Sequence, residues 1–559
     1  MISRILLIAS VVVAAGCLFL VFGWWTLLLG LLIFRRKPKP RTAYGTARWG
    51  NETDVDLDSK GGLDIGRLSV CRRSSWAIFN PWIKSRDACN AFWSKRDNPV
   101  VRLRNVIHAI LIAPTGKGKG VSFAIPHGLS CKDNAVYLDI NGEIAAATAT
   151  ARRRMGHRVV SLGLYPLGTE TLDSLNPLDL IDAESPLAID DCRTLADALV
   201  VRTGQERDPH WSDAAVIFFT AILAFLVKHA PPHDRSLQTL RGITANPEEL
   251  EVTIALMRKS TAWGGLLARM GDQLTHFRDK ELGSVMTTCG RFLSFLDSPA
   301  VAKSTTTSSF DPKELLTGKM SIFLIVPPEY LRVSVPLIRV WLSTLMLIVV
   351  KGGVKNKRLT YFVIDEAGSL SHLNCLDDAI DKYRKFGIRL ILMYQSVGQL
   401  KTCWPDGGDL TLLANTTQVY WAVQDFATAE SISNRLGETT IVTQSGGSSS
   451  GRSRQSPDQG NHGSTSYSVN SNANWAEHNR RLLRPEEVLG LDERIAISFC
   501  PGLPPLWTTL ERYYENKSPR WEWVARAVMF VQCLALFAAV LLMLTAVLGV
   551  NIHDFYASP

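Results

Sequence analysis

The sequence predicts an α/β protein: a parallel sheet covered by helices, interrupted by a helical insertion and held between two membrane-spanning segments. Three observations lead there. From Val106 onward, short apolar runs alternate with glycine turns and helical patterning, as strands that run parallel and need crossover helices do. Between about 184 and 300 the strand signals fade and helical periodicity replaces them. At both ends lie long runs without a single charge. The chain has 559 residues, 46% hydrophobic and 20% charged, enough for roughly three to four domains. That balance excludes a disordered, collagenous or disulfide-scaffold protein.

Residues 5–34 form the first uncharged run, 30 residues long, followed by Arg35, Arg36, Lys37, Lys39 and Arg41. About 20 apolar residues span a bilayer, so this run crosses once, or folds back as a re-entrant hairpin around Gly23-Trp24-Trp25. It is too long for the core of a cleaved signal peptide, about 7–15 residues, and its basic cluster follows rather than precedes it. Residues 527–550 form the second run, preceded by Lys517, Arg520 and Arg526 and followed by no basic residue. Both flanks place 42–520 on the cytoplasmic side and both termini outside. Two further apolar runs, 214–227 and 340–350, are short enough to be buried core helices.

The net charge of +9 (61 Lys and Arg against 52 Asp and Glu) invites a nucleic-acid reading, but nine of the basic residues and two acids flank the end runs, leaving 52 − 50 = +2 for the rest. The surplus marks a membrane more than a DNA groove. Ten cysteines with no C-x-x-C fit a reducing compartment, without a zinc site or a disulfide framework.

In chain order, 1–41 is the anchor with its basic flank, and 42–105 is a tryptophan-containing lead into the sheet domain. Residues 106–183 hold its first part, with strands at 107–112, 135–140 and 159–162. The all-α insertion occupies 184–300, with helices expected at 195–201, 212–228, 246–257 and 283–296. The second part, 301–516, has strands at 320–326, 359–364, 388–393 and 419–423. Within it, 443–474 is almost wholly Ser, Gly, Asn, Gln and Thr, too poor in apolar surface to offset its chain entropy, so a disordered loop is expected. Residues 517–559 carry the second span.

The chemistry concentrates at three strand ends. Pro114-Thr115-Gly116-Lys117-Gly118-Lys119-Gly120-Val121 lies between a strand and a helix, where small residues let backbone N–H groups curl around phosphates and the helix directs its positive end at them. Lys119 is placed to reach the β- and γ-phosphates. The match to G-x-x-x-x-G-K-[ST] departs at Ala113 and at Gly120, which stands where a magnesium-binding hydroxyl is expected; water, Thr115 or Ser122 takes that place. Tyr361-Phe362-Val363-Ile364 delivers Asp365 and Glu366 to the end of an apolar strand, the first to hold Mg2+ through water, the second to act as general base. Gln395 ends the next apolar strand, either sensing the γ-phosphate and orienting water or serving only as a cap. Arg384 and Arg389 are both candidates for an arginine finger donated to a neighbouring subunit.

These motifs, together with Tyr44-Gly45-Thr46-Ala47-Arg48-Trp49, Leu138-Asp139-Ile140-Asn141-Gly142-Glu143, Leu175-Asn176-Pro177-Leu178-Asp179, Gly387-Ile388-Arg389 and Pro501-Gly502-Leu503-Pro504-Pro505, stand in an order that resembles the VirD4/TraG family of type IV secretion coupling ATPases. The glycine after the loop lysine is similar to what that family carries. The resemblance covers about 44–510. It implies a RecA-like, phosphate-loop nucleotide-binding domain with an inserted all-α domain, ATP and Mg2+ as ligands, and assembly as a homo-oligomeric ring, a hexamer. It also implies an inner-membrane location in a bacterium, type IV secretion channel components as partners, and recruitment of a relaxase bound to single-stranded DNA, of effector proteins, or of both. The single N-terminal pass and the added C-terminal pass depart from the family's usual two N-terminal passes. Alternatives to DNA transfer are a receptor for protein effectors alone and a recruitment scaffold with a degenerate nucleotide site; the intact Asp365-Glu366 pair speaks against the scaffold.

Overall fold

A computed structural model describes residues 44–515, apart from 52, 56–62, 69–99, 104–105, 165–170, 203–208, 278, 355–357, 406 and 455–464. The two uncharged end runs lie outside the described residues. The chain divides into two compact units, one of residues 49–431 with 485–559, the other of 1–48 with 432–484.

The first unit is built on one eleven-stranded sheet. Its strands are β1 (Leu63–Leu68), β2 (Val100–Leu103), β3 (His108–Ile112), β4 (Asn134–Ile140), β5 (Arg158–Gly163), β6 (Met320–Val326), β7 (Thr360–Ile364), β8 (Ile388–Tyr394) and β9 (Thr417–Trp421). After the second unit's β10 (Glu438–Arg454) and β11 (Thr465–Arg481), the chain returns as β12 (Ile495–Phe499) and β13 (Leu506–Thr509). The order is β2-β1-β13-β12-β9-β3-β8-β7-β4-β6-β5.

Seven neighbouring strands, β9 to β5 in that order, are parallel. Their residues are buried on both faces, as in β3 (HAILI), β6 (MSIFLIV) and β7 (TYFVI), which is why they read as unbroken apolar runs. The expected parallel sheet is therefore present but extended: β12, β13, β1 and β2 join antiparallel beyond β9, so the sheet is mixed.

Between β5 and β6 the described residues contain helices and no sheet strand. The longest, His210–His229, and the later Pro328–Lys351 are each long and apolar enough to cross a membrane, yet their apolar windows are mostly buried within the protein. Burial of such all-round apolar helices is what their composition demands. Pro328–Lys351 carries Arg339, a buried guanidinium that donates to four backbone carbonyls: Leu370 (2.9 Å), His372 (2.6 Å), Ala198 (3.3 Å) and Val200 (3.4 Å). Burial pulls its pKa down to about 10; saturating the guanidinium with acceptors is what makes the buried charge tolerable. At the start of His210–His229, Asp213 pairs with Arg202 at 2.8 Å and His210 with Glu281 at 3.4 Å.

In the second unit the described parts of 443–474, expected to be a disordered loop, are strand instead; 455–464 lie outside the described residues. Among the described residues, β10 and β11 pair antiparallel in one uninterrupted register from Glu438↔Arg481 to Arg454↔Thr465. Few apolar residues occur here, but a two-stranded ribbon is held by its backbone ladder, which Ser, Thr and Asn can join. At the base of the ribbon, Ala47 N–H donates to Glu438 O at 3.0 Å and Tyr44 N–H to Thr440 Oγ1 at 3.1 Å. Gly45 (φ +153°) lies so close that a Cβ there would be 2.2 Å from Glu438 O. That contact gives a physical reason for the glycine in the Tyr44–Trp49 motif.

Candidate nucleotide site

Strand register brings the predicted residues together. Ile112 of β3 is opposite Tyr394 of β8, and Ile364 of β7 is opposite Leu392. One step beyond each strand end, the 113–121 loop, Gln395 and the Asp365–Glu366 pair emerge side by side at the carboxyl edge of the sheet, where ligands of open α/β sheets bind.

The loop is anchored at both ends. Ala113 N–H donates to Tyr394 O at 3.1 Å, and the indole of Trp421, at the end of β9, donates to Lys117 O at 2.9 Å. Trp421 is itself wedged against Phe123, ring centroids 5.0 Å apart. Gly116 and Gly118 turn the chain with φ of +77° and +84°, and a Cβ on Gly118 would press Val121 at 3.2 Å. The helix then starts at Gly120. Thr115 is exposed at the tip, Pro114, Lys117 and Val121 are half-buried, and Lys117 pairs with Glu493 at 3.1 Å. A Cβ on Gly120 would meet nothing within 4 Å, so crowding does not account for glycine where a hydroxyl residue is usual.

Lys119 folds back over its own loop, and its Nζ donates to Ala113 O at 2.9 Å. Burial lowers its pKa, while Glu366 and then Asp365 pull it back up, so both carboxylates are within electrostatic reach of the ammonium. Asp365 is pushed up to about 6, first by burial, against the pull of Lys119 and with added repulsion from Glu366 and Glu143. Its Oδ1 is buried with no hydrogen-bond partner among the described residues. Such an acceptor is satisfied by a cation or its water. Glu366 Oε1 accepts from Gln395 Nε2 at 2.9 Å, so the predicted glutamine engages the predicted base.

The roles of two residues escaped the sequence reading. Asp139 is the next-to-last residue of β4; since Leu138 is opposite Ile364, Asp139 stands next to Asp365. Its carboxylate accepts from Ile144 N–H (3.1 Å) and Ala145 N–H (2.7 Å), capping the helix Glu143–Arg154. Burial raises it to about 6 despite those bonds, with Asp365 adding repulsion. An acid at the end of an apolar strand was the available signal. Gln399 donates to Glu366 Oε1 at 3.3 Å; its signal was the Ser396-x-x-Gln399 spacing of a helix cap.

The sequence profile of the type IV secretory system conjugative DNA transfer family matches residues 64–536. The chain belongs to that family. Among its relatives is the type IV secretion system-coupling protein VirD4 of Bartonella quintana, 28% identical over 422 residues, or 73% of this chain and 63% of the relative. Protein VirD4 of Rhizobium radiobacter is 26% identical over 490 residues, 85% of this chain and 64% of the relative. The chain thus spans a little under two thirds of the length of these relatives. Of solved structures, the plasmid coupling protein TrwB in complex with ADP and Mg2+ superposes with a TM-score of 0.54 at 18% identity, covering 74% of this chain and 88% of TrwB. At that identity the likeness establishes a TrwB-like α/β fold with a mixed sheet. The VirD4/TraG resemblance read from the motifs is thereby confirmed.

Proposed function

We propose that this coupling protein binds ATP with Mg2+ at the 113–121 loop and hydrolyses it to recruit substrates to a type IV secretion channel and energise their transfer. The observation that carries this reading is the convergence of Lys119, Asp365, Glu366 and Gln395 on one sheet edge; the nucleotide-bound TrwB structures and the family support it. Backbone N–H groups of the loop cradle the phosphates, and Lys119 exchanges the Ala113 carbonyl for the β- and γ-phosphate oxygens. Asp365, whose buried Oδ1 has no hydrogen-bond partner among the described residues, would hold Mg2+ through water. When bound, the cation neutralises phosphate charge. Glu366 accepts the proton of the attacking water, and Gln395 fixes the carboxylate and orients that water.

In this reading the protein works as a ring, a hexamer, in the bacterial inner membrane, anchored by 5–34 and 527–550 with both termini periplasmic. Arg389 is the second residue of β8 while Gln395 follows its end, about 20 Å along the strand, so an arginine finger from Arg389 or nearby Arg384 serves the neighbouring subunit's site. The cargo is a relaxase with its single-stranded DNA, effector proteins, or both; the near-neutral charge outside the membrane flanks favours keeping the protein-only cargo in view.

The test is ATP turnover by the full chain extracted from membranes, compared with Lys119→Ala and Glu366→Gln. Turnover should vanish in both, with nucleotide binding weakened only in Lys119→Ala. No turnover by the parent, or equal turnover by all three, overturns the reading. Salt-sensitive stimulation by single-stranded DNA assigns DNA cargo, and its absence assigns protein.

A further inference from the structure

We propose that Gln399 is a positioning residue that holds the Glu366 carboxylate in its working orientation. The inference rests on the ATPase reading above. Gln399 lies three residues past Ser396, whose Oγ accepts from Gln399 N–H at 3.2 Å and caps the helix Val397–Cys403. In an ordinary capping box the Gln399 side chain would turn back to the N–H of the cap residue itself. Here it reaches one residue further: its Oε1 accepts from Gln395 N–H at 2.8 Å. A backbone N–H can only donate, so the amide orientation is fixed, and the Nε2 must face the other way. It faces Glu366, donating to Oε1 at 3.3 Å.

The result is a closed cycle. The Gln395 side chain and the Gln399 side chain donate to the same oxygen of Glu366, and the Gln399 oxygen ties down the backbone of Gln395. With Oε1 held by two neutral donors, Oε2 is the oxygen turned to the task of accepting a proton. The cycle is also held from outside. A Cβ on Gly368, two residues after Glu366, would lie 2.1 Å from Gln399 Nε2. The amide therefore lies flat against a backbone that has room for it only because residue 368 is glycine.

This packing supplies two independent perturbations. Gln399→Leu removes the amide and keeps the bulk; Gly368→Ala keeps the amide and displaces it. Both should lower kcat for ATP by about tenfold or more, the scale of one hydrogen bond to a charged group, with KM for ATP and nucleotide affinity within about twofold of the parent. The double variant Gln399→Leu/Gly368→Ala should turn over no more slowly than Gln399→Leu alone, because both changes act through the same amide. A parent without turnover defeats the ATPase reading itself. With a working parent, the role of Gln399 alone is defeated if Gln399→Leu keeps full kcat, if kcat and affinity fall together, or if the Gln399 and Gly368 effects multiply. Should Gln399→Leu fail to fold, Gly368→Ala carries the same test.

Discussion

Replacing Asp365 by asparagine should stabilise the nucleotide-free protein at neutral pH while abolishing turnover. Asp365 is raised from 3.8 to about 6 by burial, with repulsion from Glu366 and Glu143 outweighed only in part by Lys119. A carboxyl whose folded pKa lies above its unfolded one binds its proton more tightly in the folded chain. Its contribution is fully favourable below about pH 4 and is lost as pH rises through 6. The shift of 6 − 3.8, about two units at 1.36 kcal/mol each, sets a ceiling of about 3 kcal/mol on what ionised Asp365 costs the fold. Asparagine is neutral throughout and escapes that cost. Urea midpoints of the full chain in detergent, measured from pH 4 to 8, should show the two proteins close together at pH 4. They should diverge by about 1–3 kcal/mol towards pH 8, with Asp365→Asn the more stable. Asp139 loses the repulsion of Asp365 in the variant, which adds to the divergence in the same direction. A gap independent of pH, or a parent more stable at pH 8, would refute the placement of Asp365 as a strained buried acid awaiting a cation.

Two other substitutions probe the supports of the site and of the ribbon. Trp421→Phe keeps the ring against Phe123 but removes the indole N–H from Lys117 O; the loss, about 1 kcal/mol, should weaken ADP binding about fivefold by fluorescence titration with little change in melting, and unchanged affinity would show that the loop does not depend on it. Gly45→Ala puts a Cβ where Glu438 O now stands, 2.2 Å away, and should cost about 1–3 kcal/mol locally, read as faster hydrogen exchange at the Ala47 amide; unaltered exchange there would mean the contact is not a support.

What was legible follows from where burial leaves a mark. The seven parallel strands are covered on both faces, so each appears as an unbroken apolar run, and MSIFLIV could be bounded to the residue. The four antiparallel strands left no such mark: β1 (LDIGRL) alternates around a glycine and β13 (LWTT) is only four residues long. The β10–β11 ribbon was invisible because its stability comes from main-chain pairing, to which composition is nearly blind. Lys119 could be named from the glycine spacing of its loop, and Asp365, Glu366 and Gln395 because they follow the ends of buried strands, where polar residues stand out. Gln399 could not, because its spacing from Ser396 already had an ordinary explanation as a helix cap. Asp139 was visible within a motif, yet nothing in the sequence revealed that it stands beside Asp365.

Arg339 ties two distant pieces of chain to a single group. Leu370 and His372 close the turn that follows Asp365 and Glu366, whereas Ala198 and Val200 end the helix Ala188–Leu199 at the start of the helical insertion. If the turn shifts when the acids take up their ligand, the guanidinium must either follow it and abandon the helix end or stay and abandon the turn. Both choices strand a buried cation short of acceptors, a loss of several kilocalories. The cheaper course is for turn and helix to move as one, so the insertion is geared to the acid-bearing edge of the sheet through one buried side chain.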